Sequence, residues 1–272
     1  MRGKCSLIFL FISVKYFIKK TMNLFIAIPC YGGNISNLTF HSLFNIIKPL
    51  NDMGHNLTIR TLPTESLISR GRNKFVTMFL DDKKFNGTHL LFIDSDIGFT
   101  LENLLRVIEF NKEVVTCTYP VKGFYWEQLL DRIKKNTDID EKTMRDYLLQ
   151  FNVNLYPNTE FKNNFGKVKE SATGFMLIKR EVFTTIMDKF PHLKYKPDLR
   201  TGIEGSQNAF DFFPVGIYKE KDGVSRYLSE DYYFCRLAEE CGFEIWTDLQ
   251  TPITHLGSTE YHGNFISQLN KK

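Results

Sequence analysis

The stretch that most constrains this chain is THLLFIDSDIGF, residues 88–99. Leu90, Leu91, Phe92 and Ile93 make a continuous apolar run, which reads as a strand buried on both faces. Such a strand belongs inside an α/β sheet. Asp94 and Asp96 stand at its C-terminal end, the edge of an open α/β sheet where ligands bind. Two ionised carboxylates so close repel each other unless a cation joins them. The competing reading makes one aspartate a helix cap and the other a turn former.

The flanking segments keep an α/β rhythm. Residues 24–28 read as a first strand, ended by Pro29 and a YGG turn. Leu38, Leu43, Ile46, Ile47 and Leu50 follow with helical spacing, and HNLTIRTL is a second strand. SLISRGRNKFVTMFLDD is a second helix with Phe75, Met78 and Phe79 inward. After the third strand, Thr100 is placed to cap TLENLLRVIEF, and EVVTCTYP is a fourth strand stopped by Pro120. Residues 121–165 break the rhythm with two helices and an Asn-rich loop, an insertion suited to acceptor recognition. ESATGFMLIKREVF returns to strand and helix, residues 190–228 are irregular, and SEDYYFCRLAEECGFEIWTD reads as helix, glycine stop and strand. The expected fold is α/β, one Rossmann-like domain over residues 22–272 with a mostly parallel central sheet and a helical insertion.

Composition excludes some classes. The net charge of +4 is small and its lysines and arginines are spread along the chain, so nucleic acid is not an expected partner. The five cysteines (Cys5, Cys30, Cys117, Cys235 and Cys241) are odd in number and show no C-x-x-C spacing, against a zinc site or disulfide framework. Cys117 and Cys235 sit in apolar runs as small core residues. A reducing, cytoplasmic location follows. In the same setting the sequons at Asn34, Asn37, Asn56 and Asn86 carry no meaning. Three readings stay open for residues 1–21. They are an extension before a start at Met22, a signal peptide, or a short amphipathic anchor over residues 7–20 that gives weak membrane association.

Four groups carry candidate chemistry. Mg²⁺ and Mn²⁺ prefer oxygen ligands, so Asp94-Ser95-Asp96 suits a divalent metal and a sugar hydroxyl. Glu230 and Asp231 open a helix behind Ser229, either complementing its dipole or presenting Asp231 as a base kept ionised by the helix N-terminus. His255, just past a strand, is either a core or surface residue or a third metal ligand. Arg70, Arg72, Asn73 and Lys74 make either a solvated helix face or a diphosphate and base contact.

Taken in order, LFIAIPCYGG, SRGRN, LLFIDSDI, TGFMLIKREVF, SEDYYFCRLAEECGFEIWTD and ITHLG resemble the GT-A-fold glycosyltransferases of the family 2-like, DxD-containing group, from about Leu24 to Gly263. The resemblance implies a metal-dependent transferase using a UDP- or GDP-sugar, with Mn²⁺ or Mg²⁺ as cofactor. It implies that Pro29, Cys30 and Tyr31 hold the base and ribose, and that Arg70, Arg72 and Asn73 lie near the nucleotide. Asp94 and Ser95 would meet the donor, and Asp94, Asp96 and His255 the metal. Thr173 and Gly174 would lie under the sugar, and Asp231, with Glu230 beside it, would deprotonate the acceptor hydroxyl for inverting transfer. One departure from the family pattern is the lack of an acidic residue shortly after the first strand. A glycan, a lipid or a protein can each be the acceptor.

Three other readings compete. A haloacid-dehalogenase-type phosphatase also uses D-x-D, but on its first strand. A sugar nucleotidyltransferase needs an Arg-bearing glycine loop that PCYGGNIS lacks. A non-catalytic sugar-nucleotide-binding protein of the same fold would have no need of both aspartates, the Glu-Asp pair and the histidine.

Overall fold

The apolar runs become strands, and their alternation divides the core into two faces. A computed structural model describes residues 21–135 and 140–269, with the backbone alone for Lys142. Cys5 and the candidate anchor at residues 7–20 lie outside the described residues. In chain order the elements begin β1 (Asn23–Pro29), α1 (Asn37–Asp52), β2 (Asn56–Leu62), α2 (Ile68–Asp81), β3 (His89–Ile93), β4 (Ile97–Gly98), α3 (Leu101–Phe110) and β5 (Val114–Cys117). The insertion brings α4 (Trp126–Lys135), α5 (Glu141–Tyr147), β6 (Val153–Leu155) and β7 (Phe161–Lys162). Then follow β8 (Phe165–Ser171), β9 (Phe175–Lys179), α6 (Arg180–Lys189), the hairpin β10 (Gly216–Lys219) and β11 (Ser225–Leu228), and α7 (Glu230–Glu240). The chain closes with β12 (Ile245–Asp248), β13 (Thr254–Leu256), β14 (Glu260–His262) and α8 (Ile266–Leu269).

The central sheet runs β2-β1-β3-β9-β5-β12-β8-β6, with β7 also on β8. Strand β1 pairs in parallel with β2 and β3, and β12 in parallel with β5. The sheet is mixed, and most of its strands share one direction. Strand β9 departs from the expected parallel order: it lies antiparallel between β3 and β5, with Ile93 opposite Phe175 and Thr116 opposite Met176. A strand buried on both faces has no alternation to reveal its direction.

Alternation of side chains sorts the core. Leu24, Ile26, Ile28, Leu91 and Ile93 meet α1 and α3 on one face. Phe25, Ala27, Leu90 and Phe92 meet α2, α6 and α7 on the other. A chain of aromatic contacts fills that second face, where Phe92 packs edge-on against Phe213 at 5.3 Å and Phe213 stacks on Phe234 at 4.7 Å. Thr100 caps α3 as expected, its hydroxyl accepting from Asn103 N at 3.2 Å. Gly242 ends α7 at φ +88°, where a side chain would be strained.

A second, three-stranded sheet decides the site. It runs β14-β13-β4, with His255 opposite Ile97 and Thr254 opposite Gly98. The strand immediately after the two aspartates is thereby tied to the strand that bears the histidine.

Candidate functional site

Residues 94–97 form a turn. The amide of Ile97 donates to the Asp94 carbonyl at 3.2 Å, and the amide of Asp94 donates to the Gly174 carbonyl at 3.0 Å. One aspartate does serve a turn, then, but neither caps a helix, since Thr100 does that. The turn points the two carboxylates at different partners. Asp94 accepts from Arg72 Nη2 at 3.1 Å. Asp96 accepts from Lys122 Nζ at 2.5 Å and faces His255 Nε2 at 3.5 Å. Burial pushes the Asp96 carboxyl up, but His255 and Lys122 outweigh it and hold it below the ordinary range.

These groups line one cleft of about 600 Å³ at the C-terminal edge of β1, β3 and β5. Its walls include Pro29, Tyr31, Arg72, Asp94, Ser95, Asp96, Glu230, Asp231 and His255. Segments far apart in the chain have therefore converged as expected. Arg72 is buried on α2 and bridges two of them, with Nε donating to Glu230 Oε1 at 3.3 Å. Burial works against its charge, yet Asp94, Glu230 and Asp231 more than compensate and hold it protonated. Its Nη1 is buried and has no hydrogen-bond partner among the described residues. An orphaned donor of this kind calls for an acceptor.

Asp231 sits in the first turn of α7. Its carboxylate accepts from the Ser229 hydroxyl and, at 2.8 Å, from the Tyr232 amide. The helix terminus does not dominate its ionisation. Burial first, then the neighbouring Glu230, push it up to about 6, above what the sequence led us to expect. Ser229 spends its hydroxyl on Asp231 and makes no capping bond.

Other expected residues fall outside the cleft lining. Arg70 makes a two-pronged pair with Glu65, both bonds 2.8 Å. Asn73 is buried and donates to Asp211 at 2.7 Å while accepting from Phe213 N at 3.0 Å, pinning the irregular segment to α2. Cys30 is packed into the core. Gly174 lies behind the wall: a Cβ there would stand 2.3 Å from the Tyr119 hydroxyl and 3.0 Å from Asp94 Oδ2. Its lack of a side chain admits Tyr119, whose oxygen accepts from Gly174 N at 3.0 Å. Tyr119 and Lys122 were not anticipated. Both directly follow β5, whose end lies on the same sheet edge as Asp94, and that edge was the available signal.

The fit to a metal can be judged from the donor set. His255 Nδ1 lies 2.8 Å from the Pro120 carbonyl, an acceptor only, so Nδ1 carries the proton in the neutral ring. In the charged ring Nε2–H points at Asp96 Oδ1 and favours the carboxylate; in the neutral ring Nε2 presents a lone pair there instead, an arrangement that suits a cation between them. Asp94 is engaged by Arg72, and among the described residues no group of three or more His, Cys, Asp or Glu side chains stands ready to hold a metal. Asp96 and His255 fit as two ligands, with the remaining positions left to water or substrate, as is usual for Mg²⁺.

No protein-family model matches this chain, and no curated protein does. Among solved structures it is similar to A197 from STIV, 16% identical with a TM-score of 0.44, over 87% of this chain and 86% of that one. It is also similar to GalNAc-T7 in complex with UDP, GalNAc and Mn²⁺, 9% identical with a TM-score of 0.43, over 85% of this chain and 43% of that one. Among the described residues no helix is long and apolar enough to cross a membrane.

Proposed function

We propose that this protein is a metal-dependent glycosyltransferase of GT-A type. It moves a hexosyl or related sugar from a nucleotide-diphosphate donor to an acceptor hydroxyl. The observation that carries the reading is the convergence of Arg72, Asp94, Asp96, Glu230, Asp231 and His255 in one cleft at the strand ends. A bound Mn²⁺ or Mg²⁺ held by Asp96 and His255 would offset charge on the diphosphate leaving group.

The rest falls to the chain's own side chains. Tyr31, 71% exposed at the cleft rim beside Pro29, offers a ring on which a base can stack. Arg72 offers the free N–H groups of Nη1 to an anionic oxygen of the donor, while Asp94 and Glu230 hold the guanidinium in place. Asp231, with its carboxyl near 6, is mostly ionised at neutral pH and basic enough to accept a proton. It takes that proton from the acceptor hydroxyl as the oxygen attacks the anomeric carbon. The bond from that carbon to the diphosphate oxygen breaks on the opposite side, which inverts the centre. The free cysteines Cys30, Cys117, Cys235 and Cys241 accord with a cytoplasmic setting.

Calorimetric titration of the full chain with UDP and with GDP, each with and without Mn²⁺, tests this. Binding of one nucleotide only when Mn²⁺ is present is the expected result. Absence of binding under every condition, or hydrolysis of a generic phosphomonoester, overturns it.

A further inference from the structure

Lys122 has a place in the cleft but no part in the chemistry above. Its ammonium sits on Asp96 Oδ2 at 2.5 Å, while the other oxygen of the same carboxylate faces His255. Its position is set by the backbone around it. Two residues earlier, the Pro120 carbonyl engages His255, and the Val121 amide donates to the Gln150 carbonyl at 2.8 Å. The lysine stem runs along Gly257. A Cβ there would meet Lys122 Cδ at 3.1 Å and Cγ at 3.3 Å, so the glycine of ITHLG makes room for it. The side chains of Lys122 and Asp96 are 40% and 31% exposed. Such solvent-open pairs are weak and exchange readily. An ammonium on a flexible four-carbon stem can leave a carboxylate by side-chain rotation alone.

We propose that Lys122 is the resident counter-cation of the Asp96–His255 pair and competes with a divalent ion for Asp96. The inference rests on the glycosyltransferase reading only for the identity of the incoming ligand. Without donor, the chain satisfies Asp96 internally and a divalent ion alone binds weakly. When metal and nucleotide diphosphate arrive together, Lys122 gives up Asp96, and its released charge has the anionic donor within the same cleft. Metal and nucleotide are then taken up as a unit.

The test is calorimetric titration of the full-length protein and of Lys122→Met with Mn²⁺ alone, then with UDP and GDP in saturating Mn²⁺. The variant is expected to bind Mn²⁺ alone about fivefold more tightly, which corresponds to ~1 kcal/mol, and to bind the nucleotide more weakly. Lys122→Arg keeps the positive charge and should restore weak Mn²⁺ binding. Equal or weaker Mn²⁺ affinity in Lys122→Met overturns the competition even if nucleotide binding persists. No Mn²⁺ binding by either protein overturns it as well. Tighter Mn²⁺ binding by the variant, with no nucleotide bound by either protein, supports the competition and removes the transferase reading instead.

Discussion

Asp231 is the residue on which the proposed chemistry turns. Its raised carboxyl gives two outcomes with different signs. Transfer rate should climb as pH rises through about 6 and level off above it, because the base must be ionised. Stability should move the other way. An unfolded aspartate gives up its proton near pH 4, the folded one only near 6, so the native state loses stability as pH rises across that window. Asp231→Asn should cut transfer by about 10²- to 10⁴-fold. The same variant should melt higher than the parent at pH 7.5, with the gap closing as pH falls toward 4. A thermal melt series across pH reads this out, and a variant of unchanged rate would sink the base assignment. Gly174→Ala offers a second residue-scale test. The new methyl would collide with the Tyr119 hydroxyl, costing about 1–3 kcal/mol in urea unfolding. Adding Tyr119→Phe should recover little of that loss, because ring carbon Cζ would still stand 2.6 Å from the methyl, whereas adding Tyr119→Ala removes the collision at the cost of a cavity. The sequence named residues that share one cleft, Arg72, both aspartates, the Glu-Asp pair and His255 among them. It overcounted where helical geometry was already decisive. Residues two apart on a helix point to different sides, so Arg70 and Arg72 could not both reach one cleft. Arg72 turned inward, and Arg70 turned to Glu65.

At the scale of elements, the hidden features are those without periodicity. Strand β4 is two residues long and carries no pattern, yet its pairing with β13 brings His255 to Asp96. Strand β9 hid its direction because both its faces are buried. The hairpin of β10 and β11 lay in a stretch read as irregular, and its anchor is electrostatic. Fully buried Glu170 on β8 accepts from Arg226 of the hairpin at 2.6 Å and from Arg236 of α7 at 2.6 Å. Removing one member of a buried ionic group strands its partners. Glu170→Ala should therefore lower the unfolding free energy by about 3–5 kcal/mol. It should also raise amide exchange in β10 and β11, and Glu170→Gln should cost less. Helix α7 begins directly after this hairpin, so the variant also probes how firmly Asp231 is held. An unaltered urea midpoint in Glu170→Ala would show that the cluster contributes no net stability.

Across the whole molecule, the site sits where an α/β sheet with a majority strand direction presents its strand ends, and that much was legible from the rhythm of apolar runs. The acceptor was not legible, because the 121–165 insertion has no periodic pattern that names a partner. The cleft should make stability depend on ligand. Mn²⁺ with the preferred nucleotide, at a hundred times its dissociation constant, should add about 2.7 kcal/mol and raise the melting temperature, and EDTA should reverse it. A melt that ignores both would leave the cleft without its proposed occupant. The antiparallel strand in the middle of the sheet also bears on how the protein is made. Strand β3 pairs on its inner side with β9, and Ile93 waits for Phe175. At about 5–20 residues per second, a ribosome needs several seconds or more to supply that partner. Throughout that interval the nascent chain carries a bare apolar edge next to its two aspartates. Synthesis thus opens a window in which a chaperone, or a neighbouring nascent chain, has first access to the strand on which the site is built.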